Sequence, residues 1–160
     1  MILLSKLLSH ETCAECRICC GFTDSDKWEI PIFAGEEESA AAERTAPVRQ
    51  IPGTKSCVFD MEFHGNEIIM CPAVSDCGCT LGEQRPFDCM IWPFRVNSLN
   101  GMHVITLSPV CPAVIKLPLE ELCRFVNSDG FAERLFRHAA EFPETVKPYE
   151  QGYPILAVEL

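Results

Sequence analysis

The sequence predicts one irregular α+β domain: a loop-rich core, a few short antiparallel strands, and helices toward the C-terminal end. Three observations carry that expectation. The stretch 47–95 is broken by Pro47, Pro52, Gly53, Gly65, Pro72, Gly78, Gly82 and Pro86, which leaves room only for loops and short strands. Asn100-Gly101, inside "FRVNSLNGMHVITL" (94–107), is the strongest local turn signal in the chain and predicts a hairpin. Two helical stretches follow. "LPLEELCRFVNSDG" (117–130) has Pro118 near its first turn and Gly130 past its end. "DGFAERLFRHAAEF" (129–142) gathers Phe131, Leu135, Phe136 and Ala139 on one face. The length of 160 residues suits a single domain, 1–160, able to bury roughly two-thirds of its unfolded surface without a staple.

The remaining elements read as follows. Residues 1–12 suggest a short amphipathic helix or arm. "KWEIPIF" (27–33) alternates apolar and polar residues as a strand does, and Pro31 argues for an edge position. "GEEESAAAER" (35–44) combines helix formers with early acidic residues and a late Arg44, in keeping with the helix dipole. Its polar flank suggests a solvated helix or a mobile excursion. "EIIM" (67–70) is a candidate short strand, and "YPILAVEL" a last strand or packed extension. No internal repeat or low-complexity linker interrupts the chain.

Charge narrows the function. The formal net charge is −10, and no Lys/Arg run offsets it, so binding to nucleic acid through its phosphates is not expected. "MILLSKLLSH" lacks a basic leading segment, a full apolar stretch and a small-residue cleavage site, and is not expected to be a signal peptide. No run approaches the ~20 apolar residues of a membrane-spanning helix. The expected compartment is therefore a reducing cytoplasm, where stable disulfides are rare.

Eleven of the 160 residues are cysteine, several times the usual share, so the question is chemical before it is one of packing. An odd count would strand one thiol in a fully paired disulfide framework. Four cysteines crowd into "CAECRICCGF" (13–22), and five fall between 57 and 89, in the region least able to build an apolar core. Metal often holds such a region together. Cys13-x2-Cys16-x2-Cys19 has the successive spacing of loops that wrap cubane iron–sulfur clusters, whose remote cysteine precedes proline; Cys111-Pro112 is such a step. Structural zinc sites more often use two separated Cys-x2-4-Cys knuckles. Two tetrathiolate centres would each add a charge of about −2.

Taken in order, Cys-x2-Cys-x2-Cys-Cys, "CVFD" (57–60), "CTLGEQRP" (79–86), "FDCMIWPF" (87–94) and "CP" (111–112) resemble the family of zinc- or iron-chelating CxxCxxCC domains. Its members are often called cysteine-cluster proteins or provisional Fe–S oxidoreductases. The resemblance covers about 13–112. It implies Cys13, Cys16, Cys19, Cys20, Cys57, Cys79, Cys89 and Cys111 as metal ligands, in a metal-centred core over 13–112 with a helical part over 113–160. A related flagellin lysine methylase shares the cluster, but the cluster alone does not carry that activity over. The chain departs from the family in two places. Gly82 stands where a Tyr is expected, and the long Cys57–Cys79 segment carries two extra cysteines, Cys71 and Cys77, which either substitute for a ligand or extend the site.

Other residues have plainer readings. Cys123, among Leu122, Phe125 and Val126, reads as a small buried hydrophobe. Arg85 is either a surface residue of a turn or a cation that neutralises thiolate charge or binds an anion beside the cluster. Trp92-Pro93-Phe94 reads as packing that keeps water from the site. His64 is the one histidine kept as a ligand candidate. The catalytic signatures for P-loops, dinucleotide binding, serine hydrolases and zinc proteases are missing. The expectation is a metal-binding protein holding an iron–sulfur cluster, 4Fe–4S favoured, in electron transfer or redox catalysis with an unknown protein or redox partner. The alternative is a structural zinc module that presents a surface to a protein. Whether the chain is an enzyme stays open at this level.

Overall fold

The computed structural model describes residues 16–160. The arm expected over 1–12 and the ligand candidate Cys13 lie outside the described residues. Helices and short, mostly antiparallel strands alternate irregularly, an α+β arrangement. The chain divides into two compact units, one ending at Met90 and one spanning Ile91–Leu160.

In the first unit a 3₁₀ turn, Ile18–Cys20, leads into β1 (Gly21–Phe22) and a second 3₁₀ turn, Asp24–Glu29. Then come α1 (Gly35–Glu43), β2 (Val48–Gln50), β3 (Cys57–Phe59), β4 (Ile69–Met70), β5 (Val74–Ser75) and β6 (Gly78–Cys79). A 3₁₀ turn at Gly82–Gln84 and the single-turn helix α2 (Phe87–Met90) complete it. The strands form three separate antiparallel pairs, β1–β4, β2–β3 and β5–β6. The small core joins Phe33, Ala42, Cys57, Phe59 and Ala73, with Phe33 and Phe59 edge to face at 4.9 Å.

Two expectations fail here. "KWEIPIF" does not form a strand. Thr23 Oγ1 donates to Asp26 Oδ2 at 2.6 Å and Lys27 pairs with Asp24 at 3.2 Å, so local side-chain bonds wind 24–29 into a 3₁₀ turn. Ile30, Ile32 and Phe33 are all buried, and the only pairing left is a single bridge from Phe33 to Cys57. Nor is α1 merely a solvated excursion. It buries Ser39, Ala41 and Ala42, and Ala42 belongs to the core. Alanines let the backbone come close with little apolar surface to advertise it, while Glu36 and Glu37 face water.

The second unit is built on a four-stranded sheet. β7 (Phe94–Leu99) and β8 (Met102–Leu107) form the predicted hairpin, with Asn100 at φ 51 and Gly101 at φ 80. Positive φ at both central residues is what a type I′ turn requires, and Asn-Gly supplies it at least cost. The helices α3 (Leu119–Val126) and α4 (Phe131–Glu141) fall where the sequence placed them. After them come β9 (Lys147–Pro148), parallel to β7, and β10 (Ile155–Val158), antiparallel to β8. The order across the sheet is β10-β8-β7-β9. Phe94, Phe125 and Phe131 pack mutually, with centroids 4.9–5.8 Å apart, Phe94 stacked on Phe125 and edge to face with Phe131, and Leu122, Val126 and Leu135 are buried in the same unit. Inside the sheet, Thr106 Oγ1 donates to Asn97 Oδ1 at 2.6 Å, and Asn97 Nδ2 donates to the carbonyls of Lys147 and Pro148. That satisfies a buried amide and fixes β9 against β7. Among the described residues, no helix is long and apolar enough to cross a membrane.

Candidate thiol centre

Four cysteines of the first unit, Cys20, Cys71, Cys79 and Cys89, lie close enough to feel one another's charge. Each arrives on a different piece of backbone. Cys20 ends the first 3₁₀ turn, immediately before β1, and Cys71 immediately follows β4. The β1–β4 register pairs Gly21 with Met70, so the next step outward sets Cys20 opposite Cys71. The Cys71 N–H donates to the Cys20 carbonyl at 2.7 Å, which extends the ladder. The Cys71 carbonyl in turn accepts from Val74 N–H at 3.0 Å, starting the hairpin β5–β6. There Ser75 Oγ donates to the Gly78 carbonyl at 2.7 Å and Cys79 faces Val74.

Beyond β6 the chain turns at Gly82, whose φ of +55° is left-handed. That conformation is strained for a tyrosine, which gives a physical reason for the glycine at this departure from the family pattern. Arg85 Nε donates to the Gly82 carbonyl at 3.1 Å. Its positive charge favours the thiolates of Cys20 and Cys79. Pro86 then opens α2, accepting from the N–H groups of Cys89 and Met90. Two carboxylates pin this turn to the segment 32–38. Glu38 Oε1 accepts from Phe87 N–H at 2.6 Å and its Oε2 from Ala34 N–H at 3.2 Å. The buried Asp88 accepts from Ile32 N–H at 2.9 Å.

The four thiols differ in acidity. A hydrogen bond with the Cys19 side chain, helped by Arg85 and Arg17 and opposed by burial, lowers Cys20 from 9.0 to about 7. Burial pushes Cys71 up to about 11 and raises Cys79. It also raises Cys89, with the Asp88 charge adding to it. Burial likewise raises Glu38 to about 7, against the two backbone hydrogen bonds that favour its charged form.

The other sequence-predicted residues are dispersed. Cys16 is exposed; Cys19 is half-buried beside Cys20. Cys57 is fully buried in β3 and packs the apolar core, against which Cys71 and Cys79 also rest. Burial raises its thiol, with a Ser39 hydrogen bond opposing. Cys77 is exposed at the tip of the β5–β6 hairpin. Cys111 is buried in the second unit, where its carbonyl accepts from Val114 and Ile115 N–H groups and begins a turn. Cys123 is half-buried on α3. His64 is exposed, with Glu62 at 4.0 Å. Glu38 and Asp88 were missed in the sequence: nothing sets Glu38 apart from Glu36 and Glu37 except its phase on α1.

Among the described residues, no three or more His, Cys, Asp or Glu side chains form a ready metal-binding group. The donor chemistry nonetheless suits a soft metal. Four thiols lie close enough to feel one another's charge, and Arg85 favours the thiolates of two of them. No family model matches the chain, and neither the curated proteins nor the solved structures give a match.

Proposed function

We propose that this chain is a cysteine-rich metal-binding protein that holds an iron–sulfur cluster, 4Fe–4S in composition, and exchanges electrons with a protein partner in the cytoplasm. The observation that carries this reading is the convergence of Cys20, Cys71, Cys79 and Cys89 from four backbone segments. These four would hold the cluster. When bound, it supplies one-electron transfer. The protein's own residues do the rest. Arg85 and Arg17 offset the negative charge that four thiolates concentrate. The turn 86–90, held by Glu38 and Asp88, presents Cys89. The apolar core beneath Cys71 and Cys79 shields one side from water, which tunes a cluster's potential. The resemblance to the CxxCxxCC family supports metal binding by cysteine and has Cys20, Cys79 and Cys89 among the ligands it implies, but not Cys71.

The test is metal and acid-labile sulfide analysis of protein purified without oxygen. The expected preparation is brown and contains iron with matching sulfide, and Cys71→Ser lowers both. A colourless preparation with stoichiometric zinc and no iron would overturn the iron–sulfur assignment in favour of a structural zinc module.

A further inference from the structure

Among the described residues, Cys20 and Cys71 are the cysteines brought together at the end of the β1–β4 ladder, Cys20 just before β1 and Cys71 just after β4. Cys20 closes the 3₁₀ turn that feeds β1, so a single backbone hydrogen bond at the end of the ladder joins the two, and their thiols lie close enough to feel each other's charge. A direct backbone hydrogen bond keeps two Cα atoms roughly 4.5–6 Å apart, within the roughly 4.4–6.8 Å that a disulfide spans. The 2.7 Å bond from the Cys71 N–H to the Cys20 carbonyl holds the two backbones in that relation. Both thiols are free and both residues are half-buried, so a small oxidant can reach them. The neighbours are worse placed. Cys79 lies across from Val74, and Cys89 is a short helix's residue on a separate turn. Cys19 adjoins Cys20 in sequence, where closing a bond would distort the intervening peptide.

We propose that Cys20 and Cys71 are a redox pair, closing a reversible disulfide when a hydroperoxide reaches the metal-free protein. The Cys20 sulfur attacks one peroxide oxygen, the O–O bond breaks, and the departing oxygen takes the thiol proton. With hydrogen peroxide this leaves a sulfenic acid and one water. The Cys71 sulfur then displaces the hydroxyl from the Cys20 sulfur, forming the S–S bond, and its proton completes a second water. A small-molecule dithiol reverses the change. One consequence rests on the metal reading above: oxidation removes two of the four donors and so expels the metal.

The test uses the full chain, stripped of metal and treated with stoichiometric hydrogen peroxide. Alkylatable thiols are expected to fall by two per chain and to return with dithiothreitol. Fragmentation mass spectrometry should place the bond between Cys20 and Cys71. Cys20→Ser and Cys71→Ser should each abolish it, while Cys19→Ser and Cys77→Ser leave it intact, circular dichroism confirming that all four variants fold. A bond between any other pair, or thiol loss through sulfinic acid without a disulfide, overturns the proposal. A parallel arm uses protein loaded with iron and sulfide, which should oxidise more slowly and release iron as the bond closes. If loaded and stripped samples hold no metal and oxidise alike, the metal reading falls while the disulfide stands.

Discussion

Cys20 and Cys71 share one region yet stand about four pH units apart in acidity, near 7 and near 11. The difference lies in their neighbours. Cys20 has the Cys19 hydrogen bond and two arginines; Cys71 has burial and other thiols. In metal-free protein at neutral pH, iodoacetamide should therefore label Cys20 well before Cys71 or Cys79. The pH midpoint of that labelling should lie near 7 and rise in Arg85→Gln. Labelling in which Cys71 leads, or a midpoint indifferent to Arg85, would contradict this electrostatic picture. Arg85 was legible as a candidate from the Arg-Pro step after a cysteine. The Cys20–Cys19 interaction was not, because adjacency in sequence says nothing about whether two side chains meet. The sequence leaves Cys71 between substituting for a ligand and extending the site for a similar reason: only the two-residue strands β1 and β4, too short for a periodic signal, carry it to Cys20.

At the scale of elements, Glu38 is the joint between α1 and α2. Its carboxyl binds a proton more tightly in the folded protein, near 7, than at its ordinary value of 4.5. Folding is then favoured by protonation: the contribution is complete below about 4.5 and is lost as pH rises through about 7. The stability of the native chain relative to Glu38→Gln should therefore decline across that window and level off above it. Chemical denaturation at a series of pH values measures this; a difference that grows with pH would refute the buried-carboxyl account. The acidic run 36–38 was read as a solvated face, and for Glu36 and Glu37 that holds. Elements with strong local chemistry were readable: the Asn-Gly hairpin, and α3 and α4 with their large apolar faces. α1, whose buried face is alanine and serine, and the 24–29 turn, set by side-chain bonds, were not.

For the whole molecule, the contrast is between a first unit of two- and three-residue strands and a second unit with a continuous sheet and a phenylalanine cluster. Metal removal should affect them unequally. Chelation of the proposed cluster should cost hydrogen-exchange protection across 71–89 while β7, β8 and α4 keep theirs. Equal protection with and without metal would count against a metal-supported first unit. Composition and cysteine order announced that something other than apolar packing organises the early part of the chain. They did not reveal that Cys57 would serve the core, nor that Cys111 would belong to the second unit, because burial depends on contacts distant in sequence.

The order β10-β8-β7-β9 has a consequence for synthesis. The central hairpin is complete by residue 107, but both of its flanks are supplied by 147–158. While α3 and α4 are being made, the hairpin waits with two bare edges, each a template for unwanted pairing. Residues 147–158 then supply both flanks, β10 along β8 and the short β9 against Asn97 and Ser98 of β7, within a dozen residues of elongation.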